Sequence, residues 1–98
     1  MKFEWDQGKN LINQKKHKIS FETAAYVFQD KNYIEMYDFE HSTEEDRYIA
    51  IGCVGEVLFV VFTERKENIR LISARLATES ERRLYYDQNI YYILQDEC

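Results

Sequence analysis

Arginine is the side chain best placed to do chemistry in this sequence. The segment Thr63-Glu64-Arg65-Lys66-Glu67-Asn68-Ile69-Arg70-Leu71-Ile72-Ser73-Ala74-Arg75 reads as a hairpin of two apolar strands carrying three arginines. A strand that faces a core is a costly place for a guanidinium, so Arg65, Arg70 and Arg75 each call for a partner or an anionic ligand. Guanidinium does not exchange protons near neutral pH, but its planar fork matches phosphate oxygens two at a time. Arginines held on a sheet therefore suit the binding of a phosphodiester backbone and the stabilisation of a phosphorane. The competing reading is structural, with Arg70 and Arg75 paired to Glu64, Glu79 or Glu81. Composition alone favours the structural reading.

Other titratable groups are sparse. His17 closes the run Lys15-Lys16-His17 and is the best candidate for an acid–base role by residue type. A histidine in that place also suits a helix C-terminus, where the dipole favours positive charge. His41 lies in a charged stretch and reads as solvated. Trp5 serves either as a core residue or as a stacking surface. No glycine-rich phosphate loop, serine elbow or paired metal-binding carboxylates occur. Cys53 and Cys98 are the only cysteines, and with two histidines they supply too few ligands for a zinc site. Their spacing suggests no disulfide framework, and Cys53 reads as a small strand residue kept reduced.

A chain of 98 residues with 45% hydrophobic and 32% charged residues suits one soluble domain. One domain is expected over residues 1–87, with 88–98 as a C-terminal extension continuing the last helix. No apolar run approaches the roughly 18 residues of a membrane span, and the N-terminus lacks a signal-peptide core. A cytoplasmic location is the default expectation. The net charge of −5 argues against bulk electrostatic attraction to nucleic acid. Charge is uneven, however. Lys9, Lys15, Lys16, His17 and Lys18 gather early, a second basic group spans Arg65–Arg83, and acids concentrate over Glu35–Asp46.

Positioning these groups requires short connected elements, since the chain has no proline and three glycines. Lys2–Trp5 suits a first strand, and Asp6 suits the cap of a helix over Gln7–His17. Leu11 and Ile12 supply that helix's apolar side, with Lys9, Asn13 and Lys16 on a polar one. Ser20 caps a second helix, whose Phe21, Ala24, Ala25 and Phe28 fall at helical spacing, with Val27 widening the stripe. Strands are expected at Tyr33–Tyr37, Arg47–Cys53, Glu56–Glu64 and Ile69–Arg75. Thr78-Glu79-Ser80-Glu81 matches a capping box opening a third helix.

The expected order is β-α-α-β-β-β-β-α, an α+β protein with an antiparallel sheet and the two early helices on one face. With Val54-Gly55 as a two-residue loop, Arg47 falls opposite Phe62. With Lys66-Glu67 as the next loop, Glu64 faces Ile69 and Arg70 faces Thr63. Alternation then places Glu64 and Arg75 on one sheet face.

Several blocks resemble the BrnT family of toxins. They are Phe3-Glu4-Trp5-Asp6, Lys15-Lys16-His17, Ile19-Ser20-Phe21-Glu22 and Ala24-Ala25-Tyr26-Val27-Phe28-Gln29-Asp30. Arg47-Tyr48-Ile49-Ala50-Ile51-Gly52, Thr63-Glu64-Arg65 and Ile69–Thr78 continue the resemblance, followed by Glu81 and Tyr85. Lys18 stands where the family commonly has glycine, and the tail after Asp87 lies beyond the resemblance.

The resemblance implies a RelE-like fold and the toxin half of a type II toxin–antitoxin pair. It implies a metal-independent endoribonuclease, with no cofactor, that cuts RNA and arrests translation. It further implies a BrnA-type ribbon-helix-helix antitoxin, a toxin–antitoxin heterotetramer, and contact with DNA only through the antitoxin. Arg65 and Arg75 are then expected to bind phosphate and stabilise the transition state, with Glu64 as a catalytic base or an arginine-orienting residue. Arg70, His17 and Lys16 are expected to contact substrate. A non-catalytic toxin relative acting as a binding module or co-repressor is the alternative.

Overall fold

The computed structural model describes residues 2–88. Its element order is β1 (Lys2–Glu4), α1 (Gln7–His17), α2 (Phe21–Ala24), a 3-10 turn (Ala25–Gln29), β2 (Ile34–Tyr37), β3 (Tyr48–Val54), β4 (Glu56–Arg65), β5 (Asn68–Leu76) and α3 (Glu79–Gln88). The expected continuation of α3 into residues 89–98 lies outside the described residues. No helix among the described residues is long and apolar enough to cross a membrane.

The five strands form one sheet in the order β1-β5-β4-β3-β2. Strands β2 to β5 make the expected antiparallel meander. The expectation of a wholly antiparallel sheet fails at β1, which pairs parallel to β5 with Phe3 opposite Ile69. The sheet is mixed because the chain leaves β1 through two helices and returns to its edge only after the meander, in the same direction. Gly55 alone forms the apex between β3 and β4, with φ of 74°, so Val54 pairs with Glu56. That tighter reversal moves the register by one, and Tyr48 rather than Arg47 lies opposite Phe62. At the next turn Glu64 faces Ile69 and Arg70 faces Thr63, as the sequence leads one to expect.

Strand β5 carries an extra residue. Phe62 pairs with Leu71 and Val61 with Ser73, leaving Ile72 as a bulge. Ile69 and Leu71 face the helices before the bulge, and Ala74 faces them after it. The side-chain phase is thereby reversed beyond Ile72, and Arg75 turns to the face opposite the helices.

The main core lies between the helices and the sheet, where Phe21, Ala24 and Val27 meet Ala50, Val60, Phe62 and Ala74, all essentially inaccessible. The second helix is only one α-helical turn before it tightens into 3-10 geometry. Three residues per turn bring positions 21, 24 and 27 inward together, so Val27 is buried more deeply than Phe28. Gly52 permits this close approach, since a Cβ there would lie 2.8 Å from Val27 Cγ1 and 2.9 Å from Tyr33 Cβ. Trp5 packs against the same core, edge-on to Phe21 with centroids 6.1 Å apart.

Helix α1 is oriented against the expectation from its hydrophobic residues. Leu11 and Ile12 are 57% and 65% exposed, whereas Asn10 and Asn13 are buried. The cause is the edge of β5, which beyond Arg70 has no strand neighbour on the β1 side among the described residues. Asn13 supplies one: its Nδ2 donates to the Ala74 carbonyl at 2.8 Å and its Oδ1 accepts from the Ala74 N–H at 3.1 Å. The same Nδ2 donates to the Ile19 carbonyl. Asn10 Oδ1 accepts the Phe21 N–H at 2.8 Å, satisfying a first-turn amide of α2. Unpaired backbone groups at a buried edge are costly, and the inward amide face satisfies them while Leu11 and Ile12 are left outside.

Lys18 ends α1 in the left-handed conformation, with φ of 63°, and its N–H donates to Gln14 O. The turn thus keeps a glycine-type geometry with a lysine in it.

Two stability predictions follow from α1. Asn13→Leu leaves the Ala74 N–H and C=O without partners and should lower unfolding free energy by about 2–4 kcal/mol, read as a reduced urea midpoint. Lys18→Gly should raise it by about 1 kcal/mol by removing the left-handed penalty. An unchanged midpoint in either variant would contradict the corresponding role.

Candidate nucleic-acid interface

Alternation and the bulge together gather the three hairpin arginines on one face. Arg65 shares a face with Thr63, Val61 and Phe59 along β4. Across β5, Arg70 lies opposite Thr63 and Arg75 opposite Phe59. The middle of this face is half-buried Ile49, Phe59, Val61 and Ser73, and one end is covered by α3 through buried Tyr85 over Ile51 and Val57.

Each arginine is held by a carboxylate from a different element. Arg75 is the most constrained. Its Nη1 and Nη2 donate to Glu81 Oε1 and Oε2 at 2.7 and 2.9 Å, and its guanidinium carbon lies 3.9 Å above the centre of the Phe59 ring. Arg70 Nη1 donates to Glu4 Oε2 at 3.0 Å, across the β1–β5 pairing. Arg65 Nη2 reaches Glu45 Oε2 at 3.5 Å from an exposed position. The ion pair expected as one alternative for Arg75 is therefore present with Glu81, while Arg70 takes Glu4, which the sequence reading did not consider.

Glu81 serves two structures at once. Its Oε1 accepts the Thr78 N–H at 2.8 Å while its own N–H donates to Thr78 Oγ1 at 3.3 Å, closing the expected capping box. The same carboxylate forks onto Arg75. Burial opposes ionisation of Glu81, but the Arg75 hydrogen bonds, the Thr78 amide and the Arg75 charge outweigh it and hold its pKa below the usual range. Hydrogen bonds to Glu81 raise the Arg75 pKa against a smaller opposing effect of burial. Glu4 is likewise lowered, first by its bond from Asn68 and then by Arg70.

Helix α3 is held at its other end by Asp30. Tyr85 Oη donates to Asp30 Oδ2 at 2.6 Å, and the same oxygen accepts the Cys53 N–H at 2.8 Å. Burial, followed by the Asp30 contact, raises the Tyr85 pKa. Cys53 is disulfide-bonded, which corrects the expectation of a reduced strand thiol.

Glu64 is separated from this set. It shares a face with Phe62 and Ile69, so the bulge sets it and Arg75 on opposite faces rather than together. Its charge is felt instead at Tyr33 and Tyr48, whose pKa values are raised chiefly by burial and in part by Glu64. His17 and Lys16 lie in the last turn of α1, on the β5 edge where Asn13 meets Ala74, rather than in the arginine row. Among the described residues, no three His, Cys, Asp or Glu side chains gather so as to hold a metal.

Distances decide what the row can bind. Arg65 and Arg75 are opposite Asn68 and Phe59, six residues apart along β4. At about 3.3 Å per residue that is roughly 20 Å, too far for both to grip one phosphate. They can engage separate phosphates of one strand.

Partners missed from sequence alone, Glu4, Glu45 and Phe59, come from elements distant in sequence. Only the capping-box spacing of Thr78 and Glu81 offered a local signal.

The described residues form an α+β domain with a row of carboxylate-paired arginines over a half-buried apolar sheet face. A family model described as "Ribonuclease toxin, BrnT, of type II toxin-antitoxin system" matches residues 5–81. The chain belongs to the BrnT family and is thereby a type II toxin–antitoxin ribonuclease toxin, with an antitoxin partner and an RNA target. No curated protein sequence matches it.

The pH response of the Arg75–Glu81 pair has a definite sign. A lowered folded-state pKa contributes stability above the unfolded carboxylate value of about 4.3, which is lost as pH falls through the folded value. Glu81→Gln should cost about 1–2 kcal/mol at pH 7 and less at pH 3, as measured by urea unfolding at both pH values. Equal losses at the two pH values would argue against the ion pair.

Proposed function

We propose that the chain is a metal-independent endoribonuclease on a RelE-like fold, acting in the cytoplasm to arrest translation and neutralised by a BrnA-type antitoxin. In this reading one domain over residues 1–87 carries the activity. A heterotetramer with a ribbon-helix-helix antitoxin touches DNA only through that antitoxin. The observation that carries the catalytic reading is the arginine row, with Arg75 fixed between a bidentate carboxylate and an aromatic ring.

The chemistry is transesterification. A ribose 2′-oxygen attacks the adjacent phosphorus and loses its proton to a base. The bond to the 5′-oxygen then breaks, and that oxygen takes up a proton. The products are a 2′,3′-cyclic phosphate and a 5′-hydroxyl. Arg75 stabilises the phosphorane: its guanidinium is oriented before substrate arrives, and a phosphate that engages its Glu81-bonded edge displaces that carboxylate. Arg65 and Arg70 hold flanking phosphates, with Lys16 and His17 as outlying contacts. Glu64 faces away from the row, so it serves as base only for RNA that crosses the hairpin end beside Arg65.

Incubation of purified protein with an RNA oligonucleotide tests these roles. Cleavage should yield cyclic-phosphate ends and persist in EDTA. Arg75→Ala should lose about 10²–10³ in rate, and Arg65→Ala/Arg70→Ala should chiefly weaken RNA binding and flatten its salt dependence. Parental cleavage by folded Arg65→Ala/Arg75→Ala would refute the assignment. Full activity in Glu64→Gln would remove Glu64 as the base.

The full set of carboxylate partners favours one other reading, a non-catalytic toxin relative serving as a binding module or co-repressor. In that case all three arginines are structural ion pairs. Induced expression separates the two readings: growth arrest with RNA cleavage supports the enzyme, and harmless expression without cleavage supports the scaffold.

A further inference from the structure

Helix α1 presents its apolar residues to solvent. Leu11 and Ile12 wall a shallow groove of about 690 Å³, completed by Gly8, Gln14, Lys15 and Lys18. Gly8, Leu11, Ile12 and Lys15 fall at i, i+3, i+4 and i+7, forming one continuous stripe along the helix. The inner face of the helix is already committed, since Asn10 and Asn13 occupy it with hydrogen bonds, and the apolar stripe is left on the outer side. Lys18 adds a second indication. It holds a left-handed position that glycine would fill at lower cost, and its ammonium stays on the groove rim, bonded to the Lys15 carbonyl.

An apolar floor with Lys15 and Lys18 at its end is locally complementary to an acidic and apolar occupant, against the net charge of −5 of the chain as a whole. Naked RNA suits the lysines but not two neighbouring aliphatic side chains. A second copy of this chain would bring its own net negative charge but would also bring its own lysine groove. We infer that this stripe is where the antitoxin docks an amphipathic helix, with apolar residues one turn apart and carboxylates beside them. The inference rests on membership of the toxin family, and it assigns the partner a surface separate from the arginine row.

The test uses the full chain co-expressed with its cognate antitoxin. Affinity is measured by calorimetry, and RNA cleavage is followed for the free toxin. Leu11→Asp/Ile12→Asp should weaken antitoxin binding by about 100-fold. Both side chains are exposed, so melting temperature and cleavage of RNA by the free toxin should stay unchanged. Lys15→Glu/Lys18→Glu should weaken binding by about 10-fold and reduce its salt dependence. Phe39→Asp, at an 85% exposed apolar position elsewhere, should bind as the parent does. Parental affinity in Leu11→Asp/Ile12→Asp would overturn the inference while leaving the toxin reading intact. Loss of RNA binding instead would assign the stripe to RNA, and a change only in self-association would assign it to a second copy. Failure of the parent chain to bind the antitoxin would remove the toxin reading together with the inference.

Discussion

The structure depends on a single side-chain amide. Asn13 offers Ala74 the donor and acceptor that a neighbouring strand would, and so ends the sheet where β1 is too short to cover it. Fixing Asn13 at that edge sets the rotation of α1. It brings Asn10 to the start of α2 and turns Leu11 and Ile12 outward. Position and polarity of the whole N-terminal half follow from two hydrogen bonds to one residue of β5. Such a contact is stable only because both partners are fully satisfied, and it leaves little tolerance for substitution at either end.

On the other face, Glu81 joins the start of α3 to Arg75. The carboxylate that neutralises the most rigid arginine is also the one that caps the helix. Under the proposed function, a phosphate that took hold of Arg75 would compete with a helix cap, linking its binding energetically to order at the N-terminus of α3. Tyr85 and Asp30 hold the body of that helix independently, which confines the linkage to its first turn.

Much of this architecture could be read from the chain. Ser20 and Thr78 announced their helices through capping chemistry, and Lys66-Glu67 gave the right hairpin register because both flanking strands are regular beside it. The failures share a cause. Leu11 and Ile12 were assigned inward because helical periodicity registers hydrophobicity, whereas an unpaired sheet edge selects for amides. Glu64 and Arg75 were placed together because alternation assumes an unbroken strand, and the bulge at Ile72 leaves no mark in a run of strand-forming residues. The parallel pairing of β1 was hidden for a related reason, since three residues carry no signal of the strand they will meet. Local signals were legible, and contacts fixed by distant elements were not.

That distant pairing has a kinetic consequence. Strand β1 meets residues 68–70, and Asn13 meets Ala74, some sixty positions later in the chain. Both contacts close long loops, a step that is entropically costly and slow compared with hairpin formation. During synthesis the first strand and helix have nowhere to dock until β5 has emerged. Arg70 and Arg75 belong to that same strand, so the strand that closes the sheet against β1 also delivers two of the three arginines. A chain from which β5 has not yet emerged therefore carries neither the closed sheet nor the assembled arginine row.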